Sequence, residues 1–309
     1  MNAAVEASDL TKSYGETLAV NHLTFRVERG EFFGFLGPNG AGKTTTIRIL
    51  TCVVKPDHGS ASVMGYNILR EPLRAKQVMG ILPEMSNAYV DLTAWQNMMF
   101  MGELYGVPAE SRRRRAETLL RKFSIYDNRD RPVKGFSKGM KQRLLICMAL
   151  INEPEILFLD EPTGGLDVQS ARLIRSMLFE LNQGGATIFL TTHNMDEADQ
   201  LCDRVAIIDK GRIIALDRPE RLRSLSRKLQ SIEVAFDKSI DIKSMIKIGG
   251  VVEVKEIGDK IRLYTEDPDS LLRRLVEYAQ TNGLKFVDLK FLTPSLEDVF
   301  VAMTGPKVE

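Results

Sequence analysis

The sequence predicts an α/β fold, with a mixed sheet core, an antiparallel β subdomain and an inserted helical subdomain, followed by a small C-terminal α+β domain. Three observations lead to this class. A short apolar run at 32–36 enters a glycine-rich loop and then a helical segment. A second apolar run, 156–159, ends in two acids. Between these two buried-type strands lie helical patterns at 93–105 and 110–123.

Composition limits the class of protein. With 44% hydrophobic residues and a net charge of +1, the 309-residue chain has ample material for a core and no overall field that favours nucleic acid, so we expect no nucleic-acid partner. The three cysteines are widely spaced, which argues against a zinc site or a disulfide framework. The N-terminus lacks the pattern of a signal peptide, and no run reaches the ~18 apolar residues of a membrane span. We therefore expect a cytosolic chain whose membrane role needs a partner.

Residues 37–45 fit the phosphate-binding pattern G-x-x-x-x-G-K-[ST]. Its glycines let backbone N–H groups turn toward an anion, the Lys43 ammonium suits the β- and γ-phosphates, and the Thr44 hydroxyl suits Mg²⁺. A glycine-rich turn can match by chance, but a strand before the loop and a helix after it favour a nucleotide site. The loop residues assigned to nucleotide binding are Gly37, Pro38, Asn39, Gly40, Ala41, Gly42, Lys43, Thr44 and Thr45.

Two acids and a histidine follow buried-type strands. Asp160 and Glu161 come after the run 156–159, and His193 follows the run 186–191. Because the carboxyl ends of parallel strands meet at one sheet edge, we expect these side chains to lie together. Surface acids and a solvated loop histidine are the alternatives. Downstream of a phosphate loop, we interpret Asp160 as a metal ligand and His193 as a catalytic candidate.

The remaining elements of the first domain follow from periodicity and turn residues. Alternation at 20–28 predicts a half-buried strand, and residues 12–15 predict a turn that carries Tyr14. From this stretch alone Tyr14 could stack on a flat ring or cover the sheet edge, and we favour the second. Ser137 suits the N-cap of the next helix. Lys210 and Gly211 predict a hairpin. Further strands are predicted at 60–64 and 78–82, and a further helix at 168–183.

A polar, basic stretch at 217–227 marks the predicted domain boundary. The first domain then covers residues 1–220, with its helical subdomain at about 85–150, and the accessory domain covers 221–309. No catalytic pattern stands out in the accessory domain. Its predicted strands are 232–236, 251–254, 260–264 and 284–292, and its predicted helices are 268–280 and 295–300.

Five motifs stand in an order that resembles the ATP-binding subunit of an ABC transporter. They are the phosphate loop, the segment 136–140 at the place of the family signature, the strand and acids at 156–161, the turn 165–167, and His193. The likeness covers about residues 4–220, and the order of all five motifs is very specific. Glu84, the segment around 138–144 and the ending 294–300 are similar to the drug- and antibiotic-export branch, related to daunorubicin-resistance ATPases.

The resemblance implies an ATPase at the cytoplasmic face of the membrane. It would energise export of a drug, antibiotic or lipid-like substrate through a separate transmembrane permease. It would work as a head-to-tail homodimer, with ATP between the phosphate loop of one copy and the signature of the other. The implied cofactors are ATP and Mg²⁺.

The resemblance also implies a role for individual residues. Glu161 would act as general base, helped by His193 and Lys43, and Thr44 with Asp160 would hold Mg²⁺. Tyr14 would stack on adenine. The further nucleotide contacts would come from Glu84, Ser137, Gly139 and Asp167.

Two departures from the family pattern stand out. The signature keeps Ser137 and Gly139 but has Lys138 and Met140 where Gly and Gln are usual. The kept residues are those that would contact a phosphate at a helix N-terminus, so we expect a working site. Glu84 replaces the usual Gln, and its charge raises the cost of approaching a γ-phosphate.

One surface and two rival functions remain to be considered. Bulky apolar residues at 98–101 cannot all face one side of a helix, so we expect some to be exposed or covered by a partner. The resemblance implies that the helical subdomain, around residues 85–101, receives a helix from the separate permease. The first rival is a non-transport ATPase of the same fold that acts on ribosomes or DNA, supported only by the arginine run 112–115. The second is a nucleotide-binding regulator without hydrolysis, which Glu161 argues against.

Overall fold

The computed structural model describes residues 3–84, 88–225, 230–238, 240, 242–292 and 295–304. The chain divides into two compact units, Met1–Arg218 and Pro219–Glu309. The strands of the first unit are β1 (Ala3–Tyr14), β2 (Thr17–Glu28), β3 (Phe32–Leu36), β4 (His58–Val63), β5 (Tyr66–Asn67), β6 (Met79–Leu82), β7 (Ile156–Asp160), β8 (Thr187–Thr192), β9 (Arg204–Asp209) and β10 (Arg212–Asp217). Its α-helices are α1 (Lys43–Leu50), α2 (Pro72–Gln77), α3 (Ala94–Leu104), α4 (Ala109–Lys122), α5 (Lys138–Leu150), α6 (Val168–Gln183) and α7 (Met195–Leu201).

The first unit contains two sheets. One is antiparallel, with the order β2-β1-β4-β5. The other has six strands in the order β10-β9-β3-β8-β7-β6, and all of its pairs are parallel except the edge pair of β9 and β10. Every residue of β3, β7 and β8 is buried, which is typical of parallel strands covered on both faces.

An aromatic cluster joins the two sheets. The Phe25 ring of β2 lies 5.9 Å from the Phe33 ring of β3, with the ring planes 7° apart. Phe189 of β8 contacts Phe33 at 5.5 Å and Phe158 of β7 at 5.4 Å between ring centroids. These rings are buried and account for much of the apolar area that holds the sheets together.

The register of the parallel strands brings their carboxyl ends to one edge. Leu36 pairs with Thr192, and Asp160 pairs with Thr191. The loop after β3, the acid after β7 and the histidine after β8 therefore start from adjacent positions.

The helical subdomain begins after β6 and continues through α5. Thr93 caps α3 through a capping box with Gln96: the Gln96 N–H donates to Thr93 Oγ1 at 3.1 Å, and the Thr93 N–H donates to Gln96 Oε1 at 2.8 Å. Helix α5 is buried on several sides, and α3 and α4 pack against it. Two short 3₁₀ helices, Tyr126–Asn128 and Val133–Gly135, link α4 to α5.

The second unit is a four-stranded antiparallel sheet with helices. Its elements are α8 (Pro219–Leu225), β11 (Gln230–Phe236), α9 (Ile242–Met245), β12 (Glu253–Ile257), β13 (Lys260–Thr265), α10 (Pro268–Thr281), β14 (Phe286–Leu292) and α11 (Leu296–Thr304). The sheet order is β12-β13-β11-β14. Its core includes Leu271 and Leu275 of α10 together with Ile232, Val234 and Leu263 of the sheet.

The structure differs from the sequence predictions at several elements. Tyr14 ends a strand rather than lying within a turn, because β1 pairs with β2 as far as Thr17. Strand β12 begins two residues later than predicted and continues to Ile257, where Gly258, at φ +63°, begins the turn into β13. Helix α2, which begins with a proline, was not expected. Parts of the predicted segments 85–101, 217–227 and 294–300, namely residues 85–87, 226–227 and 294, lie outside the described residues.

Candidate active site

The phosphate loop after β3 is shaped by close packing of its glycines. Gly42 has φ +104° and forms the N-cap of α1. A Cβ on Gly42 would overlap the Ala19 carbonyl, and a Cβ on Gly37 would overlap the Ile208 carbonyl. Other residues at these two positions would push the loop off the sheet. The start of α1 therefore places the helix N-terminus, with its free N–H groups, beside the loop.

The Lys43 side chain lies inside this loop and is buried. Its Nζ donates to the carbonyl oxygens of Gly37 at 2.7 Å and Pro38 at 3.1 Å. The same nitrogen is 3.4 Å from Glu161 Oε1. The ammonium is therefore fixed between the loop and the acid after β7.

Glu161 stands at the sheet edge in an unusual backbone conformation. Its φ is +51°, in the left-handed region, which costs a non-glycine residue about 1–3 kcal/mol. This conformation turns the chain directly after β7. Its Oε2 lies 2.9 Å from His193 Nδ1, so the predicted meeting of these two side chains is confirmed.

Asp160 lies under the site and is 2% exposed. Its carboxylate accepts a hydrogen bond from the Thr191 hydroxyl. Burial raises the pKa of Asp160, the hydroxyls of Thr191 and Thr44 partly offset this rise, and the charges of Glu84 and Glu161 add to it. The site therefore holds a buried acid close to two other carboxylates.

The oxygen donors of Asp160 and Thr44 fit a magnesium ion. Both are hard ligands on adjacent side chains, and Mg²⁺ commonly uses one or two protein oxygens and completes its shell with water and substrate phosphates. Within the described part of the chain, no group of three or more His, Cys, Asp or Glu side chains is placed to hold a metal ion by itself. A metal here would therefore depend on phosphate oxygens.

Some of these residues line an open pocket of about 340 Å³, whereas Asp160 and His193 are not among its lining residues. Its volume is in the range of a small-molecule site. The lining residues are Ala19, Asn39, Gly40, Gly42, Lys43, Thr44, Thr45, Glu84 and Glu161.

The predicted signature residues are not among those that line the pocket. Ser137 is exposed and caps α5, since its Oγ accepts from the Met140 N–H at 3.2 Å. Gly139 packs so closely on Ser170 of α6 that a Cβ would overlap the serine hydroxyl. Asp167 caps α6 through bonds from the N–H of Ser170 at 2.8 Å and its hydroxyl at 2.7 Å, and these bonds lower the pKa of Asp167. The signature and the turn before α6 thus form one packed corner of the chain.

Tyr14 and Lys138 also lie outside the pocket lining. The Tyr14 ring is 47% exposed, with Lys12 Nζ 5.7 Å from its centroid. An exposed aromatic face is available for stacking. Lys138, which departs from the family pattern, donates from Nζ to the Gly165 carbonyl at 3.1 Å.

Sequence reasoning missed two residues around the site. Thr191, which bonds Asp160, lies two positions before His193, and its place at a strand end was the available signal. Glu197 of α7 is fully buried and accepts a bond from Thr163. The signal for Glu197 was an acid four residues after His193, one helical turn along α7.

The comparisons with known proteins agree with this geometry. Residues 20–164 match the ABC transporter family. The chain is 38% identical to the Nod factor export ATP-binding protein I of Ralstonia nicotianae over 297 residues, which is 96% of this chain and 92% of that protein. It is 36% identical over 311 residues to the daunorubicin resistance ATP-binding protein DrrA2 of Streptomyces coeruleorubidus, with 99% and 96% of the two chains covered.

Solved structures show the same fold. An ATP-binding subunit of an ABC transporter superposes with a TM-score of 0.66 at 32% identity, covering 72% of this chain and 92% of that one. The dimeric cassette MJ0796, bound to ADP and Pi in a post-hydrolysis state, gives a TM-score of 0.64 at 26% identity, with 69% and 98% covered. The chain belongs to the ABC transporter family, and it is an ATP-binding subunit that hydrolyses ATP. In its described residues, no helix combines the length and apolar character needed to cross a membrane.

Proposed function

We propose that this chain powers the export of a drug, antibiotic or lipid-like compound through a separate membrane permease. Two relatives named for Nod factor export and daunorubicin resistance match nearly the whole chain, and this supports export as the direction. The chain would sit on the cytoplasmic face of the membrane, where its permease binds it.

The observation that carries the proposed mechanism is the position of Glu161. Its carboxylate touches the Lys43 ammonium on one side and the His193 imidazole on the other, at the mouth of the phosphate pocket. A carboxylate there is placed to take a proton from a water that attacks the γ-phosphate. Lys43 would stabilise charge on the phosphate oxygens, and His193 would hold Glu161 and contact the γ-phosphate.

Asp160 and Thr44 would hold Mg²⁺, which supplies positive charge to the phosphates when bound. The loop N–H groups of residues 37–45 would bind the phosphate oxygens, and Glu84 would contact the metal or its water. Tyr14 would cover the adenine ring. These residues orient the substrate before any bond is broken.

The packed corner of Ser137, Gly139 and Asp167 lies apart from the pocket lining, and this supports a role in a second copy's site. We propose a head-to-tail homodimer, in which this corner of one copy completes the pocket of the other. The solved dimeric cassette supports a dimer as the working form.

Replacing Glu161 by Gln tests the proposed chemistry. The amide fills the same space but does not accept a proton, so turnover should fall about 10²–10⁴-fold. ATP binding should persist because Lys43 and the loop are unchanged, and ATP-bound dimers should accumulate on a sizing column. Glu71→Gln, an exposed carboxylate just before α2, is the matched control and should hydrolyse ATP normally. Turnover that survives in Glu161→Gln would show that another residue is the base.

A further inference from the structure

A fully buried acid lies behind the proposed site. Glu197 of α7 is 0% exposed. Its Oε1 accepts a hydrogen bond from Thr163 Oγ1 at 2.8 Å. The Glu197 backbone N–H donates to Asn194 Oδ1 at 3.1 Å. Glu197 therefore bonds two other positions in the chain, Thr163 through its side chain and Asn194 through its backbone.

Both bonding partners of Glu197 lie close in sequence to the proposed catalytic groups. Thr163 follows Glu161 by two residues, and Asn194, which caps α7, directly follows His193. Glu161 Oε2 and His193 Nδ1 lie 2.9 Å apart. Glu197 therefore joins the loop after Glu161 to the helix start after His193.

An acid at this position does not give the folded protein its greatest stability. Glu197 Oε2 is buried without a hydrogen-bond partner among the described residues. Burial of a carboxyl with unmet hydrogen-bonding capacity costs free energy, and an apolar or amide side chain avoids part of that cost. The geometry of the link, rather than the free energy of folding, is what the acid provides.

We propose that Glu197 is a positioning residue for ATP hydrolysis, which holds the loop after Glu161 and the turn of His193 in the register that lets these two side chains meet. This inference rests on the roles proposed above for Glu161 and His193. Among the residues that the structure describes, Glu197 makes no hydrogen bond or ion pair with the phosphate loop, so it should affect turnover and leave ATP binding nearly unchanged.

Thr163 and Glu197 variants of the full-length chain test the link. Thr163→Val removes one hydroxyl at constant shape, and Glu197→Ala removes the whole link, so kcat should fall roughly tenfold or more with KM for ATP within about twofold. Thr163→Ser and Glu197→Gln keep the bonding groups and should restore most of kcat. Asp196→Asn, an exposed acid one residue away on α7, is the matched control.

A double-mutant cycle separates positioning from a structural role. If Glu197 acts through His193, Glu197→Ala should cost little further kcat in a His193→Ala background. Additive losses, a wild-type kcat in Thr163→Val, or a rise in KM that matches the fall in kcat would each overturn the inference. Thr163→Val keeps the test decisive if Glu197→Ala fails to fold. If Glu161→Gln hydrolyses ATP at the wild-type rate, both the proposed function and this inference are wrong. If Glu161→Gln is slow but Thr163→Val hydrolyses ATP at the wild-type rate, only the inference is wrong.

Discussion

At the scale of single residues, the Glu161 carboxylate lies 3.4 Å from the Lys43 ammonium and 2.9 Å from the His193 imidazole. Its left-handed backbone conformation turns the chain so that a side chain at the end of β7 faces the phosphate loop. Strain of this kind persists when the surrounding structure enforces it, and it is common at catalytic positions. The buried pair of Asp160 and Thr191 beneath it anchors the same edge.

The buried acid Glu197 should make stability depend on pH. Burial raises the pKa of Glu197 above the ordinary 4.5, and the charge of Glu161 adds to the rise. The hydrogen bond from Thr163, the nearby Thr192 hydroxyl and the charge of Arg175 lower it. An acid whose pKa is higher in the folded protein than in the unfolded chain contributes its full stabilisation of the fold at pH values below the unfolded-state pKa. This contribution is lost as the pH rises through the folded-state pKa.

Glu197→Gln, which stays neutral, should therefore gain stability relative to the wild type as pH rises above about 4.5, up to the folded pKa of Glu197. Urea unfolding of both full-length proteins between pH 5 and pH 8 measures the difference. Asp160 and Glu31, whose pKa values are also raised by burial, are present in both proteins, so their contributions cancel from the difference in stability. A difference that stays flat or shrinks with pH would contradict the prediction.

Motif residues of the site could be predicted from the sequence, but their contacts could not. The phosphate loop has a fixed spacing, and the acids of β7 follow an apolar run, so Lys43, Asp160 and Glu161 were found from local pattern. The link from Thr163 to Glu197 joins residues 34 positions apart through a helix that carries no motif. Only the packing of α7 against the sheet reveals it.

At the scale of elements, strands buried along their whole length were predicted more accurately than strands that contain both buried and exposed residues. Strand β3 has the predicted bounds because its five residues form an unbroken apolar run. Strand β1 was not predicted, since its apolar and polar residues do not alternate regularly and its pairing with β2 and β4 contains register shifts. Tertiary pairing defines such a strand more than its own pattern does.

Helix α3 and the segment before it present an apolar surface. The Tyr89 and Phe100 rings meet edge to face at 5.0 Å and are 51% and 37% exposed, whereas Met98 is fully buried. The buried Asn97 side chain bonds both the N–H and the carbonyl of Tyr89, which fixes this surface. The expectation of exposed bulky residues in 98–101 is confirmed by Phe100, and the binding of a permease helix there stays a prediction.

Replacing Tyr89 and Phe100 by Ser should therefore reduce coupling to a permease. Both side chains lie outside the pocket lining, so ATP hydrolysis by the isolated subunit should stay within about twofold of wild type, while transport falls tenfold or more because an interface centre loses its aromatic anchors. Export measured in cells, together with ATPase activity of the purified chain, checks this. Val287→Ser, at an exposed apolar position in β14, is the control. Unchanged export in the double variant would show that this surface does not dock the permease.

At the scale of the whole molecule, the proposed head-to-tail dimer would use two separate parts of each chain in two different sites. The pocket contains the phosphate loop, Glu84 and Glu161, while the corner of Ser137, Gly139 and Asp167 lies elsewhere in the same unit. The arginine run at 112–115, which was the only support for the rival function on ribosomes or DNA, is partly engaged in ion pairs: Arg112 pairs with Glu103, and Arg115 with Glu153. A complete site in the proposed dimer therefore needs a second copy of the chain, and hydrolysis should require both copies.

Mixing two inactive variants tests that requirement most directly. Glu161→Gln lacks the base, and Ser137→Arg, at an exposed position, places a bulky cation where the second copy's phosphate is expected. In a head-to-tail dimer of one of each, one site has both an intact Glu161 and an intact Ser137. Random pairing at equal amounts should then restore about a quarter of wild-type ATPase activity.

The matched control mixes Glu161→Gln with Lys43→Ala. Both of these changes lie on the phosphate-loop side, so every site in the mixed dimer keeps one defect and no activity should return. Recovery in the first mixture and none in the second is the result that the shared-site account predicts. If mixed dimers form, as tagged copies on a column would reveal, and the first mixture stays as inactive as its parents, the account is contradicted.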